Sequence, residues 1–243
     1  MTISSPAKAS TFIQPAGINA MSWTFVAPDD WKRKRLKYLC AINPSRQERR
    51  HLTDDDPVTF LPMELASEGV PSFQGTTRPL GEVIAGFTRF QEGDVLVAKI
   101  TPCFENGKGG ICRDLVNGVG FGSTEFHVLR PGPEVLASFV YYALLSRPFR
   151  FVGKNHLQGA AGQQRVPSEF ISEFVLPYPD LRVQEAIVDF IESHDQCVDG
   201  LYQRCQILFG ESPRSKGSGL IQEFRATLIA EAITGRIDVN GNA

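Results

Sequence analysis

Between Gly93 and Gly109 the chain reads Gly-Asp-Val-Leu-Val-Ala-Lys-Ile-Thr-Pro-Cys-Phe-Glu-Asn-Gly-Lys-Gly, a strand-forming run that opens into a polar loop. Lys99, Thr101, Glu105, Asn106 and Lys108 are displayed there. Ammonium groups suit phosphate oxygens, and hydroxyl and amide groups suit phosphates or base edges, so the loop has the chemistry of a nucleic-acid contact. The same residues could instead cap the turns of a hairpin. A second polar run, Gln163-Gln164-Arg165, offers amides matched to adenine edges and a guanidinium matched to guanine or phosphate. It could equally be structural and face its own domain. A third stretch, Trp31 to Leu39, sets five positive charges beside Trp31, Leu36 and Leu39. It is either a solvated face with those three anchors packed inward or a phosphate contact.

Catalytic patterns are missing where they would be expected. Gly118-Val119-Gly120-Phe121-Gly122 has dinucleotide-loop glycines but leads into a strand, so it opens no helix N-terminus to a pyrophosphate. Asn106-Gly107-Lys108-Gly109 lacks the glycine spacing and following Ser/Thr of a P-loop. Asn43-Pro44-Ser45 lacks the second proline and aromatic residue with which amino-methyltransferases hold a flipped base. There is no Gly-x-Ser-x-Gly elbow. Asp94 and Lys99 lie five apart on one strand and point to opposite faces, which is wrong for a nuclease centre. The chain therefore reads as non-catalytic. Cys40, Cys103, Cys112, Cys197 and Cys205 are scattered without CxxC spacing, and the four histidines are far apart. That predicts reduced thiols, a cytoplasmic setting and no metal site.

The elements that must position these residues fall in two regions. The 243 residues are 42% hydrophobic and 21% charged, enough for one large domain or a domain with an extension. No apolar run approaches the roughly 20 residues that span a bilayer. Net charge is −2, but residues 181–243 hold 6 Lys+Arg against 9 Asp+Glu, leaving 19 against 18 in residues 1–180. A near-neutral larger part can contact DNA at defined points without coating it.

Residues 1–22 read as a flexible tail and 23–180 as a compact α+β domain of short strands with occasional helices. Strands are expected at Val58–Leu61 and Asp94–Ile100, and along Gly120–Leu129 as one half-buried alternating strand. A helix from Glu134 to Ser146 should end at Pro148. Residues 181–239 change texture. Ile187, Ile191, His194, Val198, Leu201, Cys205 and Leu208 repeat at spacings of four and three, the seam of a coiled-coil helix about 42 Å long. A flexible loop at 210–219 precedes a second helix, Leu220–Thr234, with Ile221, Phe224, Leu228 and Ala232 on one face. The pair either projects as a hairpin, the reading preferred here for its length, or packs on the domain's own core. Residues 240–243 form a tail.

These stretches, in this order, resemble the DNA-specificity subunits of type I restriction–modification systems. Phe60-Leu61-Pro62-Met63-Glu64, the Gly93–Gly109 run, Gly122-Ser123-Thr124-Glu125-Phe126 and Gln163-Gln164-Arg165-Val166-Pro167 are similar to the target-recognition domain. Leu176 to Ile187 is similar to the hinge into the conserved helix, and Arg225 to Asp238 to the C-terminal signature. The resemblance implies a chain that recognises double-stranded DNA without cutting or methylating it. It further implies partner adenine methyltransferase subunits that bind S-adenosylmethionine, and a restriction subunit, where present, that uses ATP and Mg. The chain itself would hold no cofactor. One recognition domain, where the family carries two, suggests a half-subunit. It would homodimerise through Ile187, Ile191, Val198, Leu201, Leu208, Ile221, Phe224 and Leu228 and read an interrupted palindrome. The family's helical passage is usually shorter than the one around 210–219. DNA contact is expected at Lys99, Thr101, Asn106 and Lys108, then at Gln163, Gln164 and Arg165. The rival reading is a coiled-coil adaptor that binds protein instead of DNA.

Overall fold

The computed structural model describes residues 27–45, 52–69, 72–160, 163–209 and 216–237, with side chains described outside 198–222. The expectations for the tails 1–22 and 240–243, for 210–215, and for the side chains of Val198, Leu201, Leu208 and Ile221 lie outside them. The chain passes through β1 (Lys32–Arg35), the single turn α1 (Leu36–Leu39), β2 (Cys40–Ile42), β3 (Pro57–Leu61), β4 (Ser67–Glu68) and β5 (Thr76–Pro79). Next come α2 (Leu80–Val83), β6 (Thr88–Gln91), β7 (Val95–Ala98), β8 (Lys108–Ile111), β9 (Val119–Gly122) and β10 (Phe126–Pro131). Helices α3 (Ala137–Leu145), α4 (Arg147–Lys154) and α5 (Ser168–Glu173) lead to β11 (Val175–Tyr178), and the long α6 (Leu181–Phe209) and α7 (Lys216–Ile233) follow.

Two sheets carry the fold, in the orders β2-β10-β7-β8-β4 and β5-β3-β9-β6, and a ribbon of β1 and β11 stands apart. All pairs are antiparallel except β3 with β9. β7 and β10 are buried on both faces, which is why Val95-Leu96-Val97-Ala98 is apolar without a break. Val95 and Val97 face a core built with the helices. Leu96 and Ala98, together with Phe126 and Val128 of β10, face the other sheet, where they meet Leu61 and Phe90. A third cluster, Val58, Phe60, Val119 and Phe121 with Leu80 and Val83, lies on the far side of the four-stranded sheet. The mixed α+β class is the one expected.

The Trp31–Leu39 alternatives resolve toward packing. Trp31, Leu36 and Leu39 are buried in the helical core. Lys34 reaches Glu134 at 2.6 Å, and both Arg35 and Lys37 pair with Glu173. Arg33 donates to the carbonyls of Trp31 and Ala27. Asp94, fully buried, accepts a fork from Arg130 at 2.8 and 2.9 Å and the amide of Gln91, so it is an internal strut. Burial pushes the Cys40 thiol up to about 12 and raises Cys112 as well, keeping both protonated and unreactive.

Four expectations need correction. The single strand over Gly120–Leu129 is two, β9 and β10, in different sheets. A turn at Ser123–Phe126 separates them, where the Ser123 amide donates to Leu61 O. Pro148 does not end α3; the chain turns extended at Ser146 and Pro148 sits in the first turn of α4, where a missing N–H costs nothing. The loop at 210–219 is shorter at its end, since α7 begins at Lys216 despite two glycines in its first turn. Finally, Ile187, Ile191 and Leu228 belong to the domain's own core, with α6 and α7 packed on α3. Their apolar surface is already covered within this chain, which leaves little of it for another copy. Phe224, by contrast, is half exposed.

The glycines of β9 have a packing cause. A Cβ at Gly120 would fall inside the Phe90 ring, and one at Gly122 would meet both that ring and the Leu61 carbonyl. Gly120→Ala should lower stability by about 1–3 kcal/mol through overpacking. Urea unfolding should show a lower midpoint with an unchanged slope. A midpoint equal to wild type would refute the ring-on-glycine explanation.

Candidate nucleic-acid interface

Lys99 and Thr101 follow β7, and Gln163–Arg165 lies antiparallel beside them through bridges joining Ile100 to Arg165 and Arg165 to Gln158. Three backbone bonds hold the two stretches to each other and to the head of β10, and a fourth ties Arg165 to Gln158. Lys99 N donates to Glu125 O, Val166 N to Lys99 O, Thr101 N to Gln164 O, and Arg165 N to Gln158 O. The Thr101 hydroxyl also donates to Gln164 O at 3.3 Å. Two distant segments thus form one ridge.

Side chains split on that ridge. Arg165 is not free: its guanidinium forks onto Glu125 at 2.7–3.1 Å and donates to Gln163 O. Those bonds hold the Glu125 carboxyl below the usual carboxylate range. The structural alternative for Arg165 is therefore the one found. The Lys99 ammonium and the side-chain amides of Gln163 and Gln164 make no side-chain hydrogen bond or ion pair among the described residues, although Lys99 lies close enough to Glu125 to help lower its carboxyl. Gln163 is exposed, and Lys99 and Gln164 are half-buried.

Asn106 and Lys108 lie on the β8 side of the hairpin loop and bond to a different segment, not to Gln163–Arg165. Asn106 donates to Glu68 at 3.3 Å, and Lys108 leans on the Met63 carbonyl at 3.4 Å and on Glu68 at 4.0 Å. Phe104, fully buried, anchors the loop in the helical core. Arg150 donates to the Glu105 carbonyl, and Lys154 pairs with its carboxylate at 2.7 Å. These two cations on α4 were not singled out in the sequence; nothing in a helical Arg-Pro-Phe-Arg-Phe-Val-Gly-Lys run marks a loop as its target.

Asn43 and His127 were likewise missed as a unit. Asn43, at φ +45°, donates its backbone amide to Val128 O at 2.7 Å and accepts the Val128 amide on its side-chain Oδ1 at 3.0 Å. Its Nδ2 lies 3.1 Å from His127 Nδ1, and His127 Nε2 lies 2.8 Å from Val166 O. The amide must donate to Nδ1 and the carbonyl must accept from Nε2, so the buried imidazole is neutral with its proton on Nε2. Through Val166 it pins the ridge from beneath. Among the described residues no group of three His, Cys, Asp or Glu could hold a metal ion, and no helix is long and apolar enough to cross a membrane.

Residues 28–205 match the family model for the type I restriction modification DNA specificity domain. The chain belongs to this family. It is 37% identical over 169 residues to the EcoAI specificity subunit of the type I restriction enzyme from Escherichia coli, and 36% identical over 170 residues to the EcoEI subunit. Each match covers 68% of this chain but only 28% and 27% of those proteins. In structure it is similar to the HsdS subunit of Thermoanaerobacter tengcongensis, with a TM-score of 0.58 and 18% identity over 73% of this chain and 45% of that one. A chain from a structure of a type I restriction–modification complex gives 0.53 and 15% identity over 92% and 49%. These two likenesses are of fold alone.

The His127 strut has a pH signature. Burial, the largest cause, holds its imidazole below the ordinary 6.5. Its contribution to stability is then complete above pH 6.5 and declines as pH falls below that, because the unfolded chain takes up the proton first. Glu125, Glu134 and Glu173 are held below their ordinary 4.5 by Arg165, Lys34 and Lys37, so their losses come at lower pH. The urea midpoint should fall between about pH 7 and pH 5 in wild type and stay flatter in His127→Gln. Equal slopes in the two proteins would remove His127 from this role.

Proposed function

We propose that this chain reads DNA sequence for a type I restriction–modification system, without itself cutting or methylating. The observation that supports it most is the ridge where Lys99 and Thr101 meet Gln163 and Gln164. There a cation and two amides stand without side-chain hydrogen-bond or ion-pair partners among the described residues, beside a hydrogen-bonded backbone, in a member of the specificity-domain family. Cations position a duplex through its phosphates, and amides discriminate base edges. Arg165, held by Glu125, serves the ridge as a brace, while Asn106 and Lys108 form an outer contact.

The wider reading follows the family. An adenine methyltransferase carrying S-adenosylmethionine would be directed to a bipartite site, and a restriction subunit using ATP and Mg could join. Two copies of this chain would supply the two halves of an interrupted palindrome. With Ile187, Ile191 and Leu228 committed to the domain core, pairing would fall to Phe224 and to the distal positions Val198, Leu201, Leu208 and Ile221.

Mapping methylated adenines in cells that express the chain with its candidate methyltransferase tests this directly. An interrupted palindromic motif should appear and vanish when the chain is deleted. Lys99→Ala should weaken binding to all sequences and reduce the slope of log affinity against log salt by about one. Gln164→Ala should cost about 1–3 kcal/mol at one base position and relax the motif there. No chain-dependent motif would turn the assignment toward the protein-binding adaptor, and an asymmetric motif would replace the homodimer with a pairing to a different chain.

A further inference from the structure

Gln184 sits at the start of α6 with no exposed surface. Its Oε1 accepts the Leu136 amide at 3.0 Å, and its Nε2 donates to the carbonyls of Glu134 at 3.0 Å and Pro179 at 2.9 Å. The bonded groups belong to two segments, the approach to α3 and the exit from β11. The Glu134 carboxylate is held in turn by Lys34 of β1 and by the Tyr178 hydroxyl of β11. Asp180 completes the junction by accepting the amides of Val183 on its side chain and Gln184 on its carbonyl. The first turn of the long helix is thus tied by directed bonds to the domain that carries the ridge.

Beyond that turn, Ile187, Val188 and Ile191 hold α6 by apolar contact. Such contact is non-directional and fixes neither rotation nor tilt sharply, whereas a fully satisfied buried polar network does both. Small errors here are amplified. From Gln184 to Phe209 the helix runs about 38 Å at 1.5 Å per residue, so a tilt of about 5° moves its far end by about 3.3 Å. That is close to the roughly 3.4 Å between successive nucleotides along one DNA strand.

We propose that Gln184 is a positioning residue that sets the number of base pairs between the two half-sites, by fixing the direction in which α6 leaves the recognition domain. This rests on the reading above, in which two recognition domains joined by these helices share one bipartite site. Gln184→Met keeps the side chain's length and removes its three bonds, loosening the exit angle without touching the ridge.

The methylated-adenine map separates the possible results. With Gln184→Met, both half-site sequences should stay as in wild type, while methylation at sites spaced one base pair closer or farther rises about tenfold relative to the native spacing. Simple loss of stability would instead lower methylation at all sites together. A folded Gln184→Met chain that keeps the single native spacing overturns the proposal. If that variant fails to accumulate, Tyr178→Phe decides. It removes only the hydroxyl that ties β11 to the Glu134 carboxylate, which Lys34 still holds, should broaden the spacing in the same direction by a smaller factor, and overturns the proposal if the spacing stays sharp. A wild-type chain that directs no motif at all would be a failure of the specificity reading itself, visible before any variant is made.

Discussion

The two-sided burial of β7 and β10 is the constraint on which the rest depends. Strands covered on both faces leave no water for the polar groups at their ends, so each must find a partner in the protein. At one end Asp94 takes Arg130 and the Gln91 amide. At the other, His127 takes Asn43 and Val166, and the backbone of Lys99 is closed by Glu125 and Val166. Satisfying that second end draws the distant Gln163–Val166 segment onto the end of β7. The ridge is a consequence of finishing the sheet.

This explains why the candidate site was only partly legible beforehand. The β7 run and the polar residues after it are local patterns, as is the Gln163-Gln164-Arg165 cluster, and each could be named from its own stretch. Their meeting depends on Asn43 and His127, 84 positions apart. No periodicity links an asparagine before a proline to a histidine inside a strand. The Gly120–Leu129 error has a related cause. Alternation suggested one half-buried strand, yet glycines in β9 were making room for Phe90 in one sheet while β10 entered another. The long helices show the same limit from the other side. Their spacing marked Ile187, Ile191, Leu228 and Ala232, which are buried, and also Phe224, which is half exposed, but spacing alone does not say whether the covering surface belongs to a second copy or to this chain.

Charge on the molecule is mostly spent internally. Of the five cations between Lys32 and Lys37, four have partners within the domain, and Arg130, Arg165 and Lys154 each sit on a carboxylate. A surface organised this way offers little nonspecific attraction to a polyanion, in keeping with a net charge of −2. Affinity for DNA would have to come from a few well-placed groups, and Lys99 beside two side-chain amides that bond to no other side chain among the described residues is such an arrangement. Low background binding of this kind favours discrimination over grip, because the specific contacts then make up a larger share of the total.

Rigidity connects these features. The ridge is pinned from beneath by a neutral imidazole and braced from the side by the Glu125–Arg165 fork. The exit of α6 is locked to the same domain by Gln184, and α6 and α7 continue its core through Ile187, Ile191, Ile229 and Ile233. A ridge and a helix that share one core cannot move independently without breaking buried hydrogen bonds, each about 1–3 kcal/mol when left unmade. A domain organised in this way carries its orientation with it. Whatever joins the far end of α6 would therefore receive the position of the ridge as well as its chemistry.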